Sequence, residues 1–132
     1  MKKIKLGNIC NINSNSYSLS DDWDFVNYLD TRNITANTID NIQQIDTTTE
    51  ILPSRARRKV KTNSIIYSTV RPNQRHYGII KSQPKNFLVS TGFAVIDVNP
   101  EVIDANYLYY QLTRKEIVQH LQSIAEQSTT AY

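Results

Sequence analysis

Nine of the fifteen Lys and Arg residues in this 132-residue chain fall between positions 51 and 96: Arg55, Arg57, Arg58, Lys59, Lys61, Arg71, Arg75, Lys81 and Lys85. That stretch holds no Asp or Glu, so all twelve acids lie outside it, where they outnumber the other cations. A concentrated positive field steers polyanions and favours phosphate contacts. Charge alone fits a solvated basic face equally well. Nucleic acid gains ground because aromatic and amide side chains run through the same stretch: Tyr67, Asn73, Gln74, His76, Tyr77, Asn86 and Phe87. Arg matches the major-groove edge of guanine, and Asn or Gln that of adenine. Arg55, Arg57, Arg58, Lys59 and Lys61 are therefore expected to contact phosphates and set position. Tyr67, Ser68, Thr69, Arg71, Asn73, Gln74, Arg75, His76 and Tyr77 are expected to read base edges, with Lys81 on the same DNA-binding surface. Arg32, isolated between Lys5 and Arg55, counts first as an ordinary surface residue.

Catalytic chemistry finds little material. Three Gly residues cannot supply a phosphate-cradling loop. Cys10, His76 and His120 are single and scattered, unlike a metal site. No spacing suggests a nucleophile elbow. Carboxylates are missing from the middle of the chain, where a metal-dependent nuclease would need them. No methyl-donor signature is present. No catalytic residue, metal or cofactor is expected. One Cys permits no intrachain disulfide, which suits a reducing cytoplasm. No apolar run reaches signal-peptide or membrane-spanning length, so a soluble, cytoplasmic protein without membrane contact is expected.

Positioning these residues requires a sheet. The length fits one domain with an ordinary core. Ile4 to Ile12 reads as a short opening element, and Asn11 to Asp24 as a turn-rich loop anchored by Trp23 and Phe25. Phe25 to Leu29 is a predicted strand. Thr35 to Glu50, with Ile39, Ile42 and Ile45 at spacing three, fits either a weak helical stripe or a meandering segment. Ser64 to Val70 is the clearest strand, rich in β-branched and aromatic residues. Arg71-Pro72-Asn73-Gln74 breaks it with a turn. Tyr77 to Ile80, Phe87 to Ser90 and Phe93 to Ile96 continue the strands, the last two hinged at Thr91-Gly92. Two helices follow. Asp104 caps the first, with Ala105, Leu108, Tyr109 and Leu112 on one face. Thr113-Arg114-Lys115-Glu116 fits a capping box for the second, whose stripe is Ile117, Val118, Leu121, Ile124 and Ala125. The expected fold class is α+β: a small, twisted, mostly antiparallel sheet with projecting loops and two C-terminal helices.

Three segments carry a resemblance to a known family. They are Ile65-Ile66-Tyr67-Ser68-Thr69-Val70-Arg71-Pro72-Asn73-Gln74-Arg75, Leu88-Val89-Ser90-Thr91-Gly92-Phe93-Ala94-Val95 and Asn106-Tyr107-Leu108-Tyr109-Tyr110-Gln111-Leu112. With Lys5-Leu6-Gly7-Asn8-Ile9 and Tyr28-Leu29-Asp30-Thr31, the chain resembles a target recognition domain of the specificity subunit of type I restriction–modification systems. The resemblance covers nearly the whole chain in the same order. It implies one DNA target recognition domain over 1–132 that reads half of a split double-stranded site without catalysis, as part of a complex that directs methylation and cleavage. The implied partners are a methyltransferase subunit and, through it, a restriction subunit. The family favours Gly near Asn15, Arg32 and Gln127, where this chain has other residues. It also carries spacer helices and a second recognition domain, which are expected to be missing here.

Two other readings compete. The helices, through Tyr107, Tyr110, Ile117 and Leu121, could serve mainly as a module for docking the methyltransferase subunit or for self-association. A nuclease is the third reading, and metal-dependent cleavage abolished by one carboxylate substitution would revive it.

Overall fold

A computed structural model describes residues 9–18 and 20–127. Lys5-Leu6-Gly7 and the segment 128–132 lie outside the described residues. The strands are β1 (Cys10–Ile12), β2 (Phe25–Leu29), β3 (Ile34–Thr35), β4 (Thr38–Ile39), β5 (Gln43–Asp46), β6 (Ala56–Lys59), β7 (Ile65–Ser68), β8 (Tyr77–Ile79), β9 (Phe87–Ser90) and β10 (Phe93–Val98). Helices α1 (Ala105–Leu112) and α2 (Lys115–Gln127) close the described chain. The class is α+β, but the strands form two four-stranded sheets rather than one. The first runs β1-β10-β7-β8 and the second β5-β2-β9-β6, with β3 and β4 as a separate ribbon. Pairing is antiparallel throughout except for β2 against β9, which is parallel.

Three apolar clusters define the layers. Alternation along β7 shows how they are made, because successive side chains point to opposite faces. Ile65 and Tyr67 face α1 and α2, in a cluster with Tyr77, Ile79, Ile96, Leu108 and Val118. Ile66 faces the other way, into the space between the sheets, with Leu29, Phe87, Val89, Phe93 and Val95. On the far face of the second sheet, Val26, Tyr28, Ile45 and Leu88 are covered by Tyr17, Trp23 and Leu52. The molecule is thus stacked as helices, sheet, sheet and a loop wall. Trp23 anchors its loop as expected, whereas Phe25 stays partly exposed.

Several local expectations change. Ile39, Ile42 and Ile45 form no helix: Ile39 lies on β4, Ile45 on β5, and Ile42 packs beneath the intersheet cluster. The Thr91-Gly92 turn does not close a hairpin, since β9 and β10 belong to different sheets. Asp104 caps α1 as predicted, accepting from Tyr107 N at 3.1 Å. Thr113 does not cap α2. Its hydroxyl donates back to Tyr109 O at 2.9 Å, closing the C-terminus of α1, and Glu116 instead pairs with Arg114 at 2.8 Å. A Thr between two helices can serve either end, and carbonyls left open at the end of α1 are the nearer partners. Neither Asn15 nor Arg32 has a positive φ, so replacing the family's Gly there imposes no left-handed strain.

Candidate nucleic-acid interface

Topology gathers one end of both sheets. Because β2 and β9 are parallel, their C-terminal ends lie side by side. The start of β6 joins them, with Ala56 opposite Ser90 and Thr91 N donating to Arg55 O at 2.9 Å. The start of β10 follows, with Phe93 opposite Ser68 at the end of β7. A cleft of about 380 Å³ opens at this end, and Arg32, Arg55 and Arg71 line it from three separate segments. Ser68, Gln74 and His76 add polar groups, Val70 an apolar one, and no Asp or Glu among the described residues lines the cleft. Three guanidiniums offer many fixed donors and no acceptor, a set suited to phosphate oxygens or guanine edges. An exposed Val side chain suits a thymine methyl group.

Each group is held by local structure. Asp30 ends β2 and accepts from Thr31 N at 2.8 Å, starting the single helical turn Thr31–Asn33. The same carboxylate pairs with Arg32 at 3.4 Å. Arg71 opens the turn Pro72–Gln74, where Pro72 sits at the first position and is buried. Arg75 closes it at φ 59°, with its N–H donating to Pro72 O and its carbonyl accepting from Ala36 N at 2.8 Å. The β3–β4 ribbon is therefore a brace for this loop. His76 Nδ1 lies 2.7 Å from Ile34 O. A carbonyl can only accept, so Nδ1 carries a proton and donates it to Ile34 O.

Gly92 brings two of the turns together. A Cβ there would sit 2.7 Å from Thr31 Cγ2. Its φ is not positive, so this is a demand for space rather than for backbone freedom.

The expected site residues separate into groups. Arg55, Ser68, Arg71, Gln74 and His76 meet in the cleft. Thr69, Asn73 and Arg75 are exposed at the same end without lining it. Tyr67 and Tyr77 are corrected outright: at 3% and 6% exposure they belong to the core under the helices. Their rings stack at 5.3 Å, and Tyr67 OH donates to Leu112 O at 3.0 Å. Burial first, then the neighbouring Tyr77, pushes the Tyr67 hydroxyl up to about 12, and Tyr109 is raised to about 12 mainly by burial.

Lys59 is also spent internally. Its Nζ lies 2.7 Å from Asp21 and 5.3 Å from the Trp23 ring, fastening the loop wall. The Lys59 hydrogen bond is the main cause that holds the Asp21 carboxyl below its usual range. Lys61 and Lys81 lie at the opposite end of the β7–β8 hairpin from the cleft, where Lys81 Nζ donates to Asn63 at 2.9 Å. Arg57 is exposed on the edge strand β6, and Arg58 is half-buried there, with a buried Nε lacking a hydrogen-bond partner. The basic stretch thus does not form one continuous face. Arg32, an isolated cation in the sequence, joins the cleft. Nothing in its neighbours by sequence predicts that β2 ends beside the Arg71 turn.

The model of the type I restriction modification DNA specificity domain matches residues 1–131. The chain belongs to that family. A 75-residue segment of this specificity domain is 32% identical to the type I restriction enzyme HindI specificity subunit of Haemophilus influenzae, covering 57% of the chain and 16% of that protein. The fold also matches two solved chains. One comes from a structure described as the basis of complex assembly and conformational transition of the type I R-M system (TM-score 0.77, 23% identity, 91% of this chain and 31% of that one). The other is the HsdS subunit from Thermoanaerobacter tengcongensis (TM-score 0.68, 24% identity, 80% of this chain and 27% of that one). The specificity domain spans about a third or less of the length of these relatives.

Proposed function

We propose that this specificity domain reads a short double-stranded DNA sequence on behalf of a type I restriction–modification complex and performs no catalysis itself. The supporting observation is the convergence of Arg32, Arg55 and Arg71 with Gln74 and His76 on one acid-free cleft. The Arg71–His76 loop supplies base readers, while Arg32 and Arg55 neutralise phosphates on either side. Methylation and cleavage belong to a methyltransferase subunit and a restriction subunit, which this domain directs within the cytoplasm. Among the described residues, no helix is long and apolar enough to cross a membrane.

Selection from duplexes with a randomised ten-base-pair core tests this reading. The full chain should enrich a defined sequence, and Arg71→Ala should relax preference at one or two positions by about 1–3 kcal/mol each. Enrichment that survives unchanged in both Arg71→Ala and Gln74→Ala would remove the loop from the site.

A docking role is the second reading. It is favoured by Tyr107 and Tyr110, which stand 56% and 60% exposed on α1. Leu121, by contrast, is partly buried and packs against the helix-side core. Co-elution of the chain with the methyltransferase subunit without DNA would support docking.

A further inference from the structure

We infer that Gln122, on α2 and outside the cleft, is a positioning residue for DNA reading. It braces the Pro72–Gln74 turn that carries Arg71 and Gln74 into the site. The inference rests on the DNA-reading proposal above.

Asn73 occupies the second position of a single helical turn, where a backbone N–H has no partner within the turn. Gln122 Oε1 fills that gap, accepting from Asn73 N at 3.2 Å across 49 residues of sequence. The other end of the same amide is committed too: Nε2 donates to Glu126 Oε1 at 3.2 Å, one helical turn further on. This second bond fixes which end of the amide faces the turn. Gln122 does not line the arginine cleft, but it shares a separate groove with Arg71, Asn73, Gln74 and Glu126.

The mechanical logic follows. The turn has an exposed tip, since Asn73 and Gln74 are both open to solvent. Its far end is tied to the ribbon through Ala36 N and Arg75 O. Its middle is tied to α2 by the Asn73–Gln122 bond, and α2 is itself seated by Val118 and Leu121 on the helix-side core. Base readers must be held within a fraction of an ångström of the productive pose. Pro72 roots the start of the turn in the core, and Gln122 extends that rigidity to its exposed tip.

Two measurements on the full chain test this, with Gln122→Met removing the acceptor at similar volume and the double exchange Gln122→Glu with Glu126→Gln retaining it, since the amide now at position 126 can donate to the carboxylate at position 122 and the net charge is unchanged. Amide exchange followed by NMR should show a protected Asn73 N–H in the parent and on the order of fivefold faster exchange in Q122M, with protection restored in the double variant. Selection from the randomised duplex pool should show a flatter preference in Q122M, on the order of fivefold less discrimination. Its affinity for one fixed duplex lacking the selected sequence should stay unchanged. The double variant should keep the preference. An Asn73 amide that exchanges equally fast in parent and Q122M overturns the brace. A preference equally sharp in Q122M overturns the positioning role alone. A protected Asn73 in a parent chain that selects no sequence overturns the DNA reading and, with it, this role.

Discussion

Replacing Tyr67 separates a core tyrosine from a base reader more cleanly than any other change. Its ring is stacked 5.3 Å from Tyr77 beneath α1, and its hydroxyl donates to Leu112 O, the last residue of that helix, at 3.0 Å. Tyr67→Phe keeps the ring and deletes one hydrogen bond to a carbonyl that lacks an intrahelical partner. Leu112 is half-buried, so water can replace part of the bond. The cost should therefore fall near the lower end of the unsatisfied-group range, about 1 kcal/mol. Tyr67→Ala also empties a packed site and should cost about 3–5 kcal/mol. Urea unfolding followed through Trp23 fluorescence measures both, since the chain has one Trp. In the same variants, sequence preference in DNA selection should be unaltered in Tyr67→Phe. A Tyr67→Phe protein with parental stability and an altered base preference would refute the reasoning and return Tyr67 to the DNA surface.

Other consequences follow from the same geometry. Gly92→Ala places a methyl 2.7 Å from Thr31 Cγ2, well inside an ordinary carbon–carbon contact. It should destabilise by about 1–3 kcal/mol and displace the Arg32 turn, so thermal unfolding and DNA affinity should both fall. Tyr67 and Tyr109 titrate near 12 in the folded chain against about 10 when unfolded. The unfolded chain loses those protons first, so stability is intact below pH 10 and declines between pH 10 and 12. Ultraviolet titration should show the Tyr67 and Tyr109 hydroxyls ionising well above the ordinary tyrosine value of about 10, and ionisation of both near that value would contradict the packing.

Much of the scaffold is legible in the residues. β-branched runs locate β7, β9 and β10, and Asp104 marks the start of α1 because a cap needs only a short side chain and free N–H groups nearby. The misreading at Tyr67 and Tyr77 has a physical source. Ile65-Ile66-Tyr67 is a continuous apolar run, the pattern of a strand buried on both faces, which leaves Tyr67 no open face from which to read bases. Lys59 looked like a phosphate contact because its charge is visible in sequence, while Asp21, its partner 38 residues earlier, is not. Arg32 joins the cleft only through the parallel pairing of β2 with β9, a long-range choice that no local spacing encodes. The same holds for Gln122, which meets the reading turn across 49 residues.

The central claim is that phosphates meet the arginine cleft and not the whole basic stretch. The salt dependence of binding to a fixed duplex measures this directly, comparing Arg55→Ala and Arg32→Ala with Lys61→Ala and Lys81→Ala. Each cleft substitution should lower the slope of log affinity against log salt by about 0.9, the value for one lost phosphate contact. The two lysine substitutions at the opposite end of the hairpin should leave the slope unchanged. Equal losses at all four positions, or losses confined to Lys61 and Lys81, would contradict the account.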